Sequence, residues 1–286
     1  MNIAVFADIH GRVALAFKLC ARWEAETGQH IDLILQAGDL GAYPDLGGLD
    51  KATRRYGEKD PSELGFSEHF AQRDPKIEQM LSHTSALMVF VRGNHEDHRW
   101  LDELERESGV GPLFPVDAYG RVFCLKTGVP YVHSVGKEAI TIIGIGRVGL
   151  LEGSHKFEDK HIQRYESRRL WDVDVDRCDV LLTHDTALDA VTLGAGMQEI
   201  CDALDLFEPA YHFHGHIGGR YTSRLDDNGI TQVHKLADLH WGSKKQVREG
   251  SMGMLTWHSE EEHHFEVIDA PWLAEYSMHK WKHVAP

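Results

Sequence analysis

Cysteine is scarce, with four residues (Cys20, Cys124, Cys178 and Cys201) in 286, and no two of them form a Cys-x-x-Cys pair. A disulfide-built scaffold and a zinc ribbon are therefore excluded, and scattered thiols in a chain this long predict reduced cysteines in a cytoplasmic protein. Long apolar runs are also missing: none approaches the ~20 residues that a membrane helix needs. The amino terminus meets Asp8 almost at once and has no basic start, unlike a secretory signal. Basic residues are outnumbered, 30 Lys and Arg against 45 Asp and Glu, for a formal net charge of −15. That balance argues against indiscriminate coating of polyanions, which basic surfaces perform. There is no internal repeat and no low-complexity linker, so residues 1–286 read as one domain with an insertion at about 41–75 and a short carboxy-terminal tail.

What the chain does have is an ordinary globular composition, 42% hydrophobic and 26% charged, and 20 histidines, the commonest metal-binding side chain. Asn2–Ala7 is a short apolar run and predicts a buried strand. Val13–Thr27 carries apolar positions at helical spacing before Gly28, and Ile31–Gln36 predicts a second buried strand. Strand, helix, strand at this spacing implies a parallel pair with a right-handed crossover. Further strands are expected at Leu87–Val91, Arg121–Leu125, Tyr131–Ser134, Ala139–Gly144, Val180–Thr183 and Ala210–His214. Helices are expected at Pro75–Ser82, Glu96–Glu107, Phe157–Trp171 and Glu199–Leu206. Gly41–Pro61 reads as a long loop, and the chain after Arg220 reads as short strands.

Residues suited to metal binding recur at one kind of place. Asp8 and His10 follow the first strand and Asp39 the second. Asn94 and His95 follow the third, and His184 and His216 follow later ones. Ligands of open α/β sheets bind at the carboxyl ends of strands, so five strand ends carrying such residues predict one site. Asp, Asn and His together suit first-row divalent ions such as Mn, Fe or Zn.

The set Asp8-Ile9-His10-Gly11, Gly38-Asp39-Leu40, Gly93-Asn94-His95-Glu96, His184-Asp185 and Gly215-His216, in that order, resembles the calcineurin-like metallophosphoesterase superfamily. The resemblance implies an α/β fold, a four-layer α/β/β/α sandwich with two mixed sheets, and a site for two divalent metal ions, Mn2+ first among them. Carried over, Asp8 and His10 hold the first ion, Asp39 bridges both, and Asn94, His184 and His216 hold the second. His95 is the acid or hydrogen-bond donor, with Glu96 or Asp97 as its counter-charge. The family's final Gly-His-x-His departs here. If Gly215-His216 is the pair, Gly218 stands where the last ligand belongs. If His214 and His216 are the pair, both ions are served but the glycine is displaced.

The order of Gly-Asn-His-Glu, a helix with Leu101 and Leu104, Ile140–Arg147, Tyr165–Arg169 and Asp179–Asp185 is also similar to that of the RNA lariat-debranching enzymes. Those enzymes often carry cysteine at the position of Asp8 and keep both final histidines. The expected activity is hydrolysis of a phosphoester, a phosphodiester of a nucleotide or nucleic acid before a phosphomonoester, with a non-catalytic scaffold as a third reading. No membrane is expected, and the sequence points to no particular protein partner. Arg92 and Arg147, near strand ends, are candidates for gripping phosphate, against the alternative of salt-bridged arginines. Tyr43, Tyr56 and Phe66 of the insertion are candidates for a lid, against packing of their own loop. The basic, aromatic tail at His279–His283 reads equally as a loose terminus.

Overall fold

The computed structural model describes residues 1–175, 177–242 and 245–285. In chain order the first half contains β1 (Asn2–Phe6), α1 (Val13–Thr27), β2 (Leu33–Gln36), α2 (Lys51–Gly57), α3 (Gly65–His69), α4 (Pro75–Leu81), β3 (Leu87–Phe90) and α5 (His98–Glu107). Next come β4 (Leu113–Pro115), β5 (Val122–Leu125), β6 (Tyr131–Val135), β7 (Glu138–Ile145), α6 (Arg164–Trp171), β8 (Val180–Thr183) and α7 (Gln198–Phe207). β9 (Tyr211–His214), β10 (Thr222–Leu225), β11 (Gln232–Lys235), β12 (Gly253–Trp257) and β13 (His263–Val267) complete the strands among the described residues.

The strands form two mixed sheets, ordered β13-β12-β1-β2-β3-β5-β4 and β10-β11-β9-β8-β7-β6. β1, β2, β3 and β5 are parallel in the first sheet, and β7, β8, β9 and β11 in the second. Alternation within each strand builds the layers. Ile3 and Val5 of β1 face the other sheet, packing with Val180, Leu182, Tyr211 and Phe213. Ala4 and Phe6 face the helical side, with Phe17 and Leu19 of α1. On the far side of the second sheet, Ile143 and Leu181 pack against Ile200 and Leu204 of α7. The result is the four-layer α/β/β/α sandwich. Strands buried on both faces explain why β1, β2 and β8 read as continuous apolar runs rather than alternating ones.

Several expectations change. Residues 41–75 are not an open loop: α2 starts at Asp50, whose carboxylate accepts from the Ala52 and Thr53 amides at 2.6 and 3.0 Å, and α3 buries Phe66. The helix expected at Phe157–Trp171 begins only at Arg164, because Gln163 and Glu166 form a capping box there and residues 160–162 pair with Val148 instead. β4 is too short to leave a periodic signal and is held by pairing with β5. The tail is docked rather than loose: the buried ammonium of Lys18 donates to the carbonyls of Trp281, Lys282 and Val284 at 3.1, 3.0 and 2.8 Å. All four cysteines are free. Among the described residues no helix is long and apolar enough to cross a membrane.

Asp60 ties the insertion to the sheet edge. It accepts from the buried Arg12 guanidinium and from the Trp241 indole, each at 2.8 Å. Burial pushes its carboxyl up, but the bonds from Arg12 and Ser62 dominate and hold it down at about 2. A depressed carboxyl stabilises the fold above its unfolded value near 3.8, and that contribution disappears as pH falls through about 2. Asp60→Asn is therefore expected to cost about 2 kcal/mol at neutral pH. In chemical denaturation the gap from wild type should close between about pH 4 and pH 2; a gap constant with pH would contradict the assignment.

Candidate metal centre

The site forms where β1, β2, β3, β8 and β9 end. The turn after β1 is stitched to the turn after β2 by three amide donors: Asp8 to the Gly38 carbonyl, His10 to that of Asp39, and Gly11 to that of Leu40, at 3.0, 2.9 and 2.7 Å. Asp8, His10, Asp39 and His216 all adopt positive φ, at 48°, 42°, 54° and 68°. Side chains rarely take this conformation, and its concentration at four ligand-type residues marks a functional edge rather than relaxed turns. Glycine is required twice by close approach. A Cβ at Gly93 would collide with Asp39 Oδ1, and one at Gly215 would collide with Asp8 Oδ2.

Ligand-type atoms of Asp8, Asp39 and His184 all lie within 4.8 Å of one another and are buried. Asp39 Oδ1 accepts from the His95 amide at 2.7 Å and lies 3.3 Å from His184 Nε2. His184 Nδ1 donates to the Ala37 carbonyl at 2.9 Å, which turns Nε2 toward Asn94 Oδ1, 3.1 Å away. The His216 amide donates to Asp8 Oδ2 at 3.0 Å, and its ring centroid lies 4.9 Å from that of His184. His10 Nε2 stands 4.0 Å from Asp8 Oδ1. Asp8, His10, Asp39, Asn94, His95 and His216 line one cavity of about 350 Å³. His214 does not join them. It stacks on His212, whose Nε2 is 2.8 Å from Thr183 Oγ1 on the outer face of the second sheet. Two residues along a strand return to the same face, so His214 stays with His212 and the turn to the site begins at Gly215.

The electrostatics call for a cation. Burial, with Asp39 and Asp238 nearby, pushes the Asp8 carboxyl up to about 7 against the opposing pull of His184. Asp39 is held well below its usual range, against burial, by the His184 imidazole. His184 is raised to about 10, again against burial, chiefly by Asp39. Among protein groups, His184 thus balances two carboxylates that are costly to bury alone. Burial lowers His10, and lowers His216 to about 4, keeping both neutral as metal ligands must be. Oxygen and imidazole donors of this kind fit first-row divalent ions.

His95 is placed differently from expectation. Its partner is Asp50, from the insertion, with Nδ1 2.7 Å from Asp50 Oδ2. Glu96 instead accepts from the Leu40 and Ala42 amides at 2.9 and 2.6 Å, bracing the β2 turn. Asp97 caps α5. Burial lowers His95, but the bond to Asp50 and the charge of Asp39 raise it to about 9. Sequence reading missed Asp50, although an Asp ahead of Lys51–Gly57 is a helix-cap signal. It also missed Asp238 and His240, which line the cavity. Of the proposed lid, only Tyr56 lines it; Tyr43 is buried and donates to Asp50, and Phe66 packs on Phe70 and Trp100. Arg92 and Arg147 are buried and paired with Asp102, Glu105 and Glu166, away from the cavity.

The family model described as calcineurin-like phosphoesterase matches residues 1–219. The chain belongs to the calcineurin-like phosphoesterase family. The family is one of metal-dependent phosphoesterases. The chain is 24% identical over 257 residues to a lariat debranching enzyme of Drosophila melanogaster, an alignment covering 80% of this chain and 45% of that protein. The chain thus spans under half the length of that relative. In fold it resembles TT1561 of Thermus thermophilus, with a TM-score of 0.51, 15% identity, and 93% and 98% of the two chains covered. It likewise resembles GAP50, the anchor in the inner membrane complex of Plasmodium, with a TM-score of 0.51, 10% identity, and 98% and 85% covered. At such identities these two likenesses concern the fold alone.

Proposed function

We propose that the chain is a phosphodiesterase that hydrolyses a nucleotide or nucleic-acid phosphoester with two divalent ions, Mn2+ first among the candidates. The carrying observation is the form of the site. The central cavity shares Asp238 and Arg248 with a flanking cavity of about 1070 Å³. Through different residues, Asn94 and His216, it also joins one of about 510 Å³. A monoester needs room on one side of phosphorus, whereas a diester needs it on two.

Asp8, His10 and Asp39 would hold one ion, and Asp39, Asn94, His184 and His216 the other. Bound there, the pair supplies a water of lowered pKa and neutralises phosphate oxygens. The chain's own contributions follow from the bonds above. Ala37 and Asp39 set the His184 ring, and Glu96 stiffens the loop that carries Asp39. Asp50 occupies His95 Nδ1, leaving Nε2 as the nitrogen that can donate to the leaving oxygen. Free thiols fit a reducing compartment, the cytoplasm.

The test is hydrolysis of bis-p-nitrophenyl phosphate beside p-nitrophenyl phosphate with Mn2+. Preference for the diester is expected. Preference for the monoester would overturn the diester reading in favour of a phosphatase, and loss of neither activity on chelation would overturn metal dependence.

A further inference from the structure

Building on the two-ion reading above, we infer that Asp238 and His240 complete the ligand set of the first metal ion, in place of the side chain that Gly218 lacks. At Gly218 an added Cβ would meet nothing within 4 Å, so the position is open and has no side-chain donor. The donors come from the segment after β11. Asp238 pairs with Ala7 in a parallel bridge, which carries it past the end of β1 beside Asp8. Asp238 and His240 both line the cavity that contains Asp8, His10 and Asp39.

Each side chain is prepared in the way a ligand requires. Asp238 Oδ2 accepts from Arg248 at 3.1 Å, while Oδ1 is buried with no hydrogen-bond partner among the described residues. A buried carboxylate oxygen left unpaired is costly, and a cation is the partner that removes the cost. His240 Nδ1 donates to the Trp241 carbonyl at 3.0 Å, leaving Nε2 as the lone-pair nitrogen. His184 shows the same arrangement, with Nδ1 on the Ala37 carbonyl, and such a bond is what selects the tautomer of a metal-binding histidine. Trp241 is in turn anchored by its indole to Asp60 at 2.8 Å. The spacing Asp238-Leu239-His240 repeats that of Asp8-Ile9-His10, so two Asp-x-His segments approach one ion from neighbouring chain segments.

The test is calorimetric titration of chelator-treated full-length protein with MnCl2, with electron paramagnetic resonance reporting coupling between the ions. Wild type is expected to take two ions. The double variant Asp238→Asn, His240→Gln is expected to keep one at wild-type affinity, to bind the other at least about 10-fold more weakly, and to lose the coupled signal. Adding Gly218→His is expected to restore the second ion. His240→Gln alone, at a half-buried position, should weaken the same ion and guards against misfolding of the double variant. Two ions at wild-type affinity in the double variant would overturn the assignment while leaving the two-ion reading intact. A wild type that takes only one ion would overturn both.

Discussion

Asp39→Asn is expected to abolish phosphoester hydrolysis, lowering kcat/KM at least about 10³-fold, the upper range for removal of a single electrostatic group. The substitution keeps the shape of the side chain, so the Gly93 contact and the His95 amide bond have no steric reason to fail. It removes the charge. Asp39 is the carboxylate held well below its usual range, while Asp8 is pushed up to about 7; without Asp39 the buried cluster loses its firmly ionised carboxylate. Binding of divalent ions should fall with activity. The stability measurement separates this from misfolding: the chelated variant should melt below chelated wild type, because His184 loses its buried counter-charge, but still in one cooperative transition, while the rise in Tm that Mn2+ gives the wild type, by binding only the folded state, should vanish. Near-wild-type turnover would remove Asp39 from the centre.

His95→Ala is expected to lower kcat by about 10²- to 10⁴-fold, the usual contribution of a positioned acid, with Mn2+ titration unchanged. The split follows from position. His95 gives its backbone amide to Asp39 Oδ1, which alanine retains, and its ring to Asp50 and the cavity, which alanine does not. Asp50→Asn should lie between wild type and His95→Ala, because asparagine can still meet Nδ1 but no longer favours the charged ring. Loss of metal together with rate in His95→Ala would instead make His95 a structural support of Asp39.

The elements legible in the sequence were those whose burial pattern is local. β1, β2, β3 and β8 are short apolar runs buried on both faces, and α1 ends at a glycine whose φ of 69° marks a left-handed cap. The elements that escaped depend on distant partners: β4 on β5, α2 and α3 on the cap at Asp50 and the Phe66 contacts, and the late start of α6 on a bridge to Val148. Polar side chains divided in the same way. Arginines look alike in sequence, but Arg92 and Arg147 pair with Asp102, Glu105 and Glu166 away from the cavity, whereas Arg248, between β11 and β12, pairs with Asp238 at the cavity wall.

By itself the sequence determined the chemistry available at the strand ends: Asp8, His10, Asp39, Asn94, His95, His184 and His216 each follow an apolar run, and parallel strands bring such ends to one edge. Only the tertiary structure decided which groups complete them. The counter-charge of His95 comes from Asp50 and not its neighbours Glu96 and Asp97, because a side chain that braces the β2 turn cannot also reach the imidazole. His214 is turned to the outer face by the two-residue period of β9, and Asp238 with His240 arrives beside Asp8 through a bridge to Ala7. Spacing along the chain records the first kind of information; pairing between segments more than two hundred residues apart, 7 with 238, leaves no local trace.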